Sequence, residues 1–169
     1  MPSAVLLIDH GSRLAEANQM LACMARLVQD LAGDRVIVRH AHMELAEPSI
    51  AQGFADCVEA GADEVVVFPY MLSPGRHSTR DIPRMIREAA AGYPAVRFQV
   101  TPAFGMHEML AAVVLSRAGV TPVREPALDG GSACWDAGCE GGHCGEACPA
   151  SRPAAASSAV ISSPGSSSE

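Results

Sequence analysis

Apolar positions up to about Gly119 switch between two periods. Ala4 to Ile8 is an unbroken apolar run that ends in Asp9-His10-Gly11-Ser12. From Leu14 the apolar residues recur at helical spacing through Ala17, Met20/Leu21, Met24, Leu27/Val28 and Leu31, until Gly33-Asp34 ends the pattern. Arg35 to His42 reads as a second strand. Pro48 suits the first turn of a second helix, with Ile50, Phe54, Cys57 and Val58 on one face and Gly61-Ala62-Asp63 as its close. Glu64 to Tyr70 is a third strand, dense in valine. A third helix begins near Asp81-Ile82-Pro83 and carries Ile82, Met85/Ile86 and Ala89/Ala90. Val96 to Thr101 alternates through Val96, Phe98 and Val100. A fourth helix follows, with Met106, Met109/Leu110 and Val113/Val114.

Strands alternating with helices predict an α/β fold: a four-stranded parallel sheet of flavodoxin-like order 2-1-3-4 with helices on both faces. The third strand is apolar throughout, which suits an interior position; the fourth alternates, which suits an edge. One domain is expected over residues 1–120. A Cys- and Gly-rich extension occupies 121–148, and 149–169 is a Ser/Ala/Pro tail expected to be disordered.

Composition narrows this picture. The chain has 169 residues, 49% of them apolar and only 4% aromatic, so the core is aliphatic. A net charge of −7 argues against a nucleic-acid partner. There is no signal-peptide pattern and no apolar stretch long enough to span a bilayer, so a soluble cytoplasmic protein without a membrane partner is expected. All 12 basic residues are arginine, and Arg76, Arg80, Arg84 and Arg87 are closely spaced. Their planar forks suit carboxylate or phosphate, although a helix can also simply present them to water.

The unusual residues cluster where strands end. His10 follows the first strand, Glu44 follows the second just after His40 and His42, and His77 follows the third. In a sheet of order 2-1-3-4 the strand order reverses between strands one and three, and ligands bind at such a point. That puts the loops of His10 and His77 side by side. Two imidazoles over one crevice can hold a divalent transition metal or act as general bases, and Glu44 can serve as a further ligand or a proton acceptor. Each histidine alone could equally cap a strand or helix end; the conjunction is what points to a site. His10-Gly11 after an apolar strand also resembles phosphohistidine phosphatases and mutases. Those carry an arginine just before the histidine, where this chain has Asp9, a charge that repels a phosphoryl group.

Three stretches carry a more specific resemblance: LLIDHGSR (Leu6–Arg13), MELAEPSI (Met43–Ile50) and FPYMLSPGRHSTRDIP (Phe68–Pro83). Over about residues 4–118 the chain resembles the small class II sirohydrochlorin chelatases, which insert a metal into a tetrapyrrole without ATP. The resemblance implies a single α/β chelatase lobe that pairs as a homodimer. It implies insertion of Co²⁺ or Fe²⁺, or of Ni²⁺ as in some relatives, into sirohydrochlorin in cobalamin or siroheme biosynthesis. It assigns His10 and His77 to metal binding and proton removal, with Glu44 as the carboxylate after strand two. Ser12, Arg13, Arg76, Arg80 and Arg84 are then expected to bind the carboxylates of the macrocycle.

The extension departs from a minimal member of that family. Cys134, Cys139, Cys144 and Cys148, with His143 beside them, suit an iron–sulfur cluster, zinc or another metal, or unligated thiols; their spacing does not choose. Cys23 and Cys57 fall on apolar helix faces and are expected to pack. The alternative from another class is a non-catalytic metal or tetrapyrrole carrier, which the cysteines favour. The histidines and the arginine loop favour the enzyme.

Overall fold

A computed structural model describes residues 3–126 of the chain. Four parallel strands form one sheet in the order β2-β1-β3-β4. They are β1 (Ser3–Asp9), β2 (Ile37–His42), β3 (Glu64–Pro69) and β4 (Arg97–Val100). The helices are α1 (Ala15–Ala32), α2 (Ile50–Glu59), α3 (Ile82–Ala90) and α4 (Glu108–Arg117). The architecture expected from the alternation is therefore present, with β3 inside and β4 at the edge.

Side chains alternate along each strand and so divide between two faces. Ala4, Leu6 and Ile8 of β1 join Ala41, Val65 and Val67 beneath α2 and α3, whose Ile50, Phe54, Cys57, Ile82 and Ile86 complete the main core. On the opposite face Leu7 and Val38 pack against Leu21 and Ala25 of α1. The second cluster is smaller because α1 presents only part of its apolar stripe to the sheet: Met20 and Leu31 stay exposed. α4 buries none of its residues, and Val113 and Val114 face outward.

Close approach of α2 to the sheet requires Gly53. A Cβ there would lie 2.8 Å from the Ala41 Cβ and 3.1 Å from the His40 carbonyl oxygen. α2 begins at Ile50, two residues beyond Pro48, which the sequence placed in its first turn. Ser49 stands at the cap, and a reciprocal capping box with Gln52 satisfies backbone donors. Pro48 lies outside the helix, and its carbonyl accepts the His42 N–H at 2.8 Å, which ties the end of β2 to the start of α2.

The third helical segment starts earlier than expected. His77–Asp81 forms a π-helical turn that runs directly into α3, so His77 stands on a turn of helix and not on an open loop. The Gly75 carbonyl accepts from the hydroxyls of Ser78 (3.1 Å) and Thr79 (2.8 Å), and these bonds lock the beginning of the turn.

Candidate active site

Between β1 and β2 the register holds to the last pair, where Asp9 lies opposite His42. Pairing continues past the strands: Met43 N–H donates to the Asp9 carbonyl (2.9 Å) and Glu44 N–H to the His10 carbonyl (3.1 Å). This extension carries His10 and Glu44 out of the sheet together. Gly11 then turns the chain away with φ +83°, a conformation costly to a residue with a side chain. A Cβ on Gly11 would also collide with the Glu44 carbonyl oxygen. Glycine is what lets the two loops touch.

Three groups result. His10 Nε2 lies 2.9 Å from Glu44 Oε1, with the side chains 44% and 54% exposed. The His77 ring sits 5.1 Å from that of His10, centroid to centroid, at an interplanar angle of 69°. The segments that follow β1 and β3 therefore meet at the reversal of strand order, as the topology predicts. Among the described residues no three His, Cys, Asp or Glu side chains converge as a metal-holding group. The contacts run pairwise through His10: a carboxylate on one side and a second imidazole on the other. Imidazole nitrogens are donors that suit a borderline divalent ion, and imidazole beside carboxylate is a pairing used for general-base chemistry.

Two further imidazole–carboxylate pairs flank this contact. His77 Nδ1 lies 3.0 Å from Asp81 Oδ2, and the Arg76 Nε approaches the same oxygen at 3.7 Å. One residue before His10, Asp9 Oδ1 takes the Gly11 N–H at 2.9 Å and His42 Nδ1 at 2.6 Å. That second histidine is buried, at 1% side-chain exposure. The His40 ring lies 5.8 Å from it, and burial, assisted by the neighbouring His42, lowers the His40 pKa.

The polar residues expected around the crevice divide by what holds them. Arg13 and Arg80 are exposed, and among the described residues neither has an ion-pair partner. Arg76 is drawn toward Asp81, and Arg84 bonds Glu88 at 2.8 Å along the helix. Ser12 braces the approach to α1: its N–H donates to Asn18 Oδ1 (2.8 Å) and its hydroxyl accepts the Leu14 N–H (3.0 Å). A groove of about 410 Å³ runs beside it, lined in part by Ser12, Arg13, His40 and Glu47.

Residues 4–120 match the CbiX family. The chain belongs to that family. It is 42% identical over 113 residues to the chloroplastic sirohydrochlorin ferrochelatase of Arabidopsis thaliana, covering 67% of this chain and 50% of that one. It is 40% identical over 83 residues to the sirohydrochlorin cobaltochelatase of Methanopyrus kandleri, covering 49% and 57%. The fold is similar to that of the sirohydrochlorin chelatase SirB from Bacillus subtilis subspecies spizizenii in complex with cobalt. There the TM-score is 0.65 at 33% identity, over 70% of this chain and 50% of that one. The chain spans about half the length of these relatives.

For this CbiX-family chain the sequence named His10, His77 and Glu44 but missed what holds them. Asp9 stood out only as a charge hostile to phosphate, and His42 only as a neighbour of Glu44. Their pairing depends on strand register, which a single strand does not display. Asp81 had a readable signal, since His77 and Asp81 are four residues apart at a helix start. Cys57 is buried as expected, and burial pushes its thiol up to about 12. Cys23 is exposed instead; it lies on the solvent side of α1, where the Gln19 amide reaches its sulfur at 3.8 Å. Cys134, Cys139, Cys144 and Cys148 lie outside the described residues.

Proposed function

We propose that the chain is an ATP-independent sirohydrochlorin chelatase that inserts Co²⁺ or Fe²⁺, with Ni²⁺ a further candidate, in the cobalamin or siroheme branch. The observation that carries this reading is the meeting of His10, Glu44 and His77 at the switch point of a CbiX-type sheet. Relatives named for iron and for cobalt lie at similar identity, so the likeness supports the macrocycle more strongly than the choice of metal.

The chemistry asks two things of a protein: to bring a dehydrated metal to the ring face, and to accept the inner N–H protons that the metal displaces. The imidazoles of His10 and His77 serve the first, because nitrogen donors bind such ions reversibly enough to release them. The His10–Glu44 pair serves the second, since an imidazole that takes a proton at neutral pH is stabilised by an adjacent carboxylate. Arg13 and Arg80, free of carboxylate partners among the described residues, suit the acidic side chains of the macrocycle. Arg76 and Arg84 would join them by giving up weak exposed contacts.

A lobe of this size leaves one side of the macrocycle open. The matching stretch covers only half of the chloroplastic ferrochelatase, and α4 exposes Val113 and Val114, so a homodimer is the assembly we propose. The test is the ratio of product to protein. With protein limiting and metal and sirohydrochlorin in excess, a chelatase yields many metallated macrocycles per chain. The second reading, a carrier, is favoured by the cysteine run at Cys134–Cys148. It predicts saturation at about one equivalent.

A further inference from the structure

The two site histidines differ in what surrounds their ring nitrogens. Both nitrogens of His10 face acceptors: Nδ1 is 3.3 Å from the Gly11 carbonyl oxygen, and Nε2 is 2.9 Å from Glu44 Oε1. His77 has one such neighbour, Asp81 Oδ2 at 3.0 Å from Nδ1. Among the described residues nothing hydrogen-bonds its Nε2. An ionised carboxylate can only accept, so the proton of a neutral His77 ring belongs on Nδ1 and the Nε2 lone pair is left available.

The local structure makes this arrangement durable. Asp81 ends the π-helical turn that His77 begins, and the next residue, Ile82, is fully buried in the main core. The turn is pinned at its other end by Ser78 and Thr79 on Gly75. Asp81 is itself sheltered, at 19% side-chain exposure against 47% for His77, and Arg76 approaches the same carboxylate oxygen. Carboxylates placed this way behind a ligating imidazole fix its tautomer and raise its basicity.

We propose that Asp81 is a positioning residue: it holds His77 as the Nδ1–H tautomer, so that His77 Nε2 is the first nitrogen to take the divalent metal. His10, tied to Glu44, is then left to handle protons. This division of labour rests on the chelatase reading, whereas the tautomer and its effect on metal uptake stand without it.

Two-dimensional ¹⁵N–¹H multiple-bond NMR on the full chain, labelled with ¹⁵N-histidine, reads the tautomer directly. The pH is set high enough to keep the rings neutral, and the His77 signals are assigned by their loss in His77→Gln. The expected result is Nδ1–H for His77 in the wild type and a shift toward Nε2–H in Asp81→Ala. Titration with Co²⁺, followed at the His77 ring signals, should then require about ten- to hundred-fold more metal in Asp81→Ala, with partial recovery in Asp81→Glu. Following His77 itself separates this event from any binding at the cysteines.

Nε2–H in the wild type overturns the proposal and needs no variant, so a misfolded Asp81→Ala does not shield it. Unchanged Co²⁺ response in a folded Asp81→Ala also overturns it. If the tautomer and the Co²⁺ response are as expected but no metal enters sirohydrochlorin, the chelatase reading fails and the role of Asp81 stands.

Discussion

Two histidine–carboxylate pairs sit side by side at the ends of β1 and β2, built from nearly adjacent residues. Asp9–His42 closes at 2.6 Å with the histidine buried; His10–Glu44 closes at 2.9 Å with both partners about half exposed. The chemistry is the same and the setting differs. The buried pair also binds the Gly11 N–H, so its carboxylate staples the β1 loop to the end of β2. The second pair is open to solvent. On the function proposed above, one pair is scaffold and the other is tool, and a shift of one residue along β1 decides which is which.

Gly11→Ala should break both halves of the comparison at once. The added methyl group meets the Glu44 carbonyl at a positive φ, so the two loops must part. We expect insertion to fall by about a hundredfold or more, with a lower melting temperature; normal activity in this variant would show that loop contact is dispensable.

Asp9→Ala and His42→Ala should damage the scaffold first. Leaving a buried polar group without its partner costs about 1–3 kcal/mol. Urea unfolding should show that loss for each single variant, and the double variant should lose less than the sum. Additive losses would mean that the two residues do not act as a pair. Arg13→Ala and Arg80→Ala should leave stability unchanged and raise KM for sirohydrochlorin by a few-fold, with little change in kcat. Their effect should shrink in high salt, because exposed charges are screened.

The smallest expected effect concerns His40. Burial lowers its pKa below the ordinary value of 6.5. As pH falls through that value the unfolded chain takes up a proton that the folded chain resists. The contribution of His40 to stability is therefore full above about pH 6.5 and declines below it. His40→Gln should flatten this acid limb in melting curves recorded across mildly acid pH; an unchanged limb would assign it to another group.

How much of this was legible before the structure follows from the range of each signal. The strands and helices announce themselves through local periodicity, and the apolar run of β3 against the alternation of β4 correctly ordered interior and edge. Helix starts were less clear. α2 starts beyond Pro48 because the Ser49 hydroxyl satisfies a backbone donor, and the turn at His77 begins early because Ser78 and Thr79 anchor it on Gly75. His10, Glu44 and His77 were singled out because strand ends at a topological switch are where ligands bind. Asp9–His42 was not, because its contact exists only between two strands in register. The outward face of α4 was not legible for a related reason: periodicity shows that a helix has an apolar stripe, not that anything within the chain covers it.

The most direct test of the central claim is the initial rate of metal insertion by His10→Ala and His77→Ala beside the wild type. It would be followed by loss of the free-base sirohydrochlorin spectrum under anaerobic conditions, with Co²⁺, Fe²⁺ and Ni²⁺ in turn and protein-free controls. Both side chains are about half exposed, so the variants should fold and melt like the wild type. The account predicts accelerated insertion by the wild type with at least one metal, and a loss of about a hundredfold or more in each variant. Wild-type acceleration that survives in folded His10→Ala and His77→Ala would contradict it, and would move the chemistry away from the switch point.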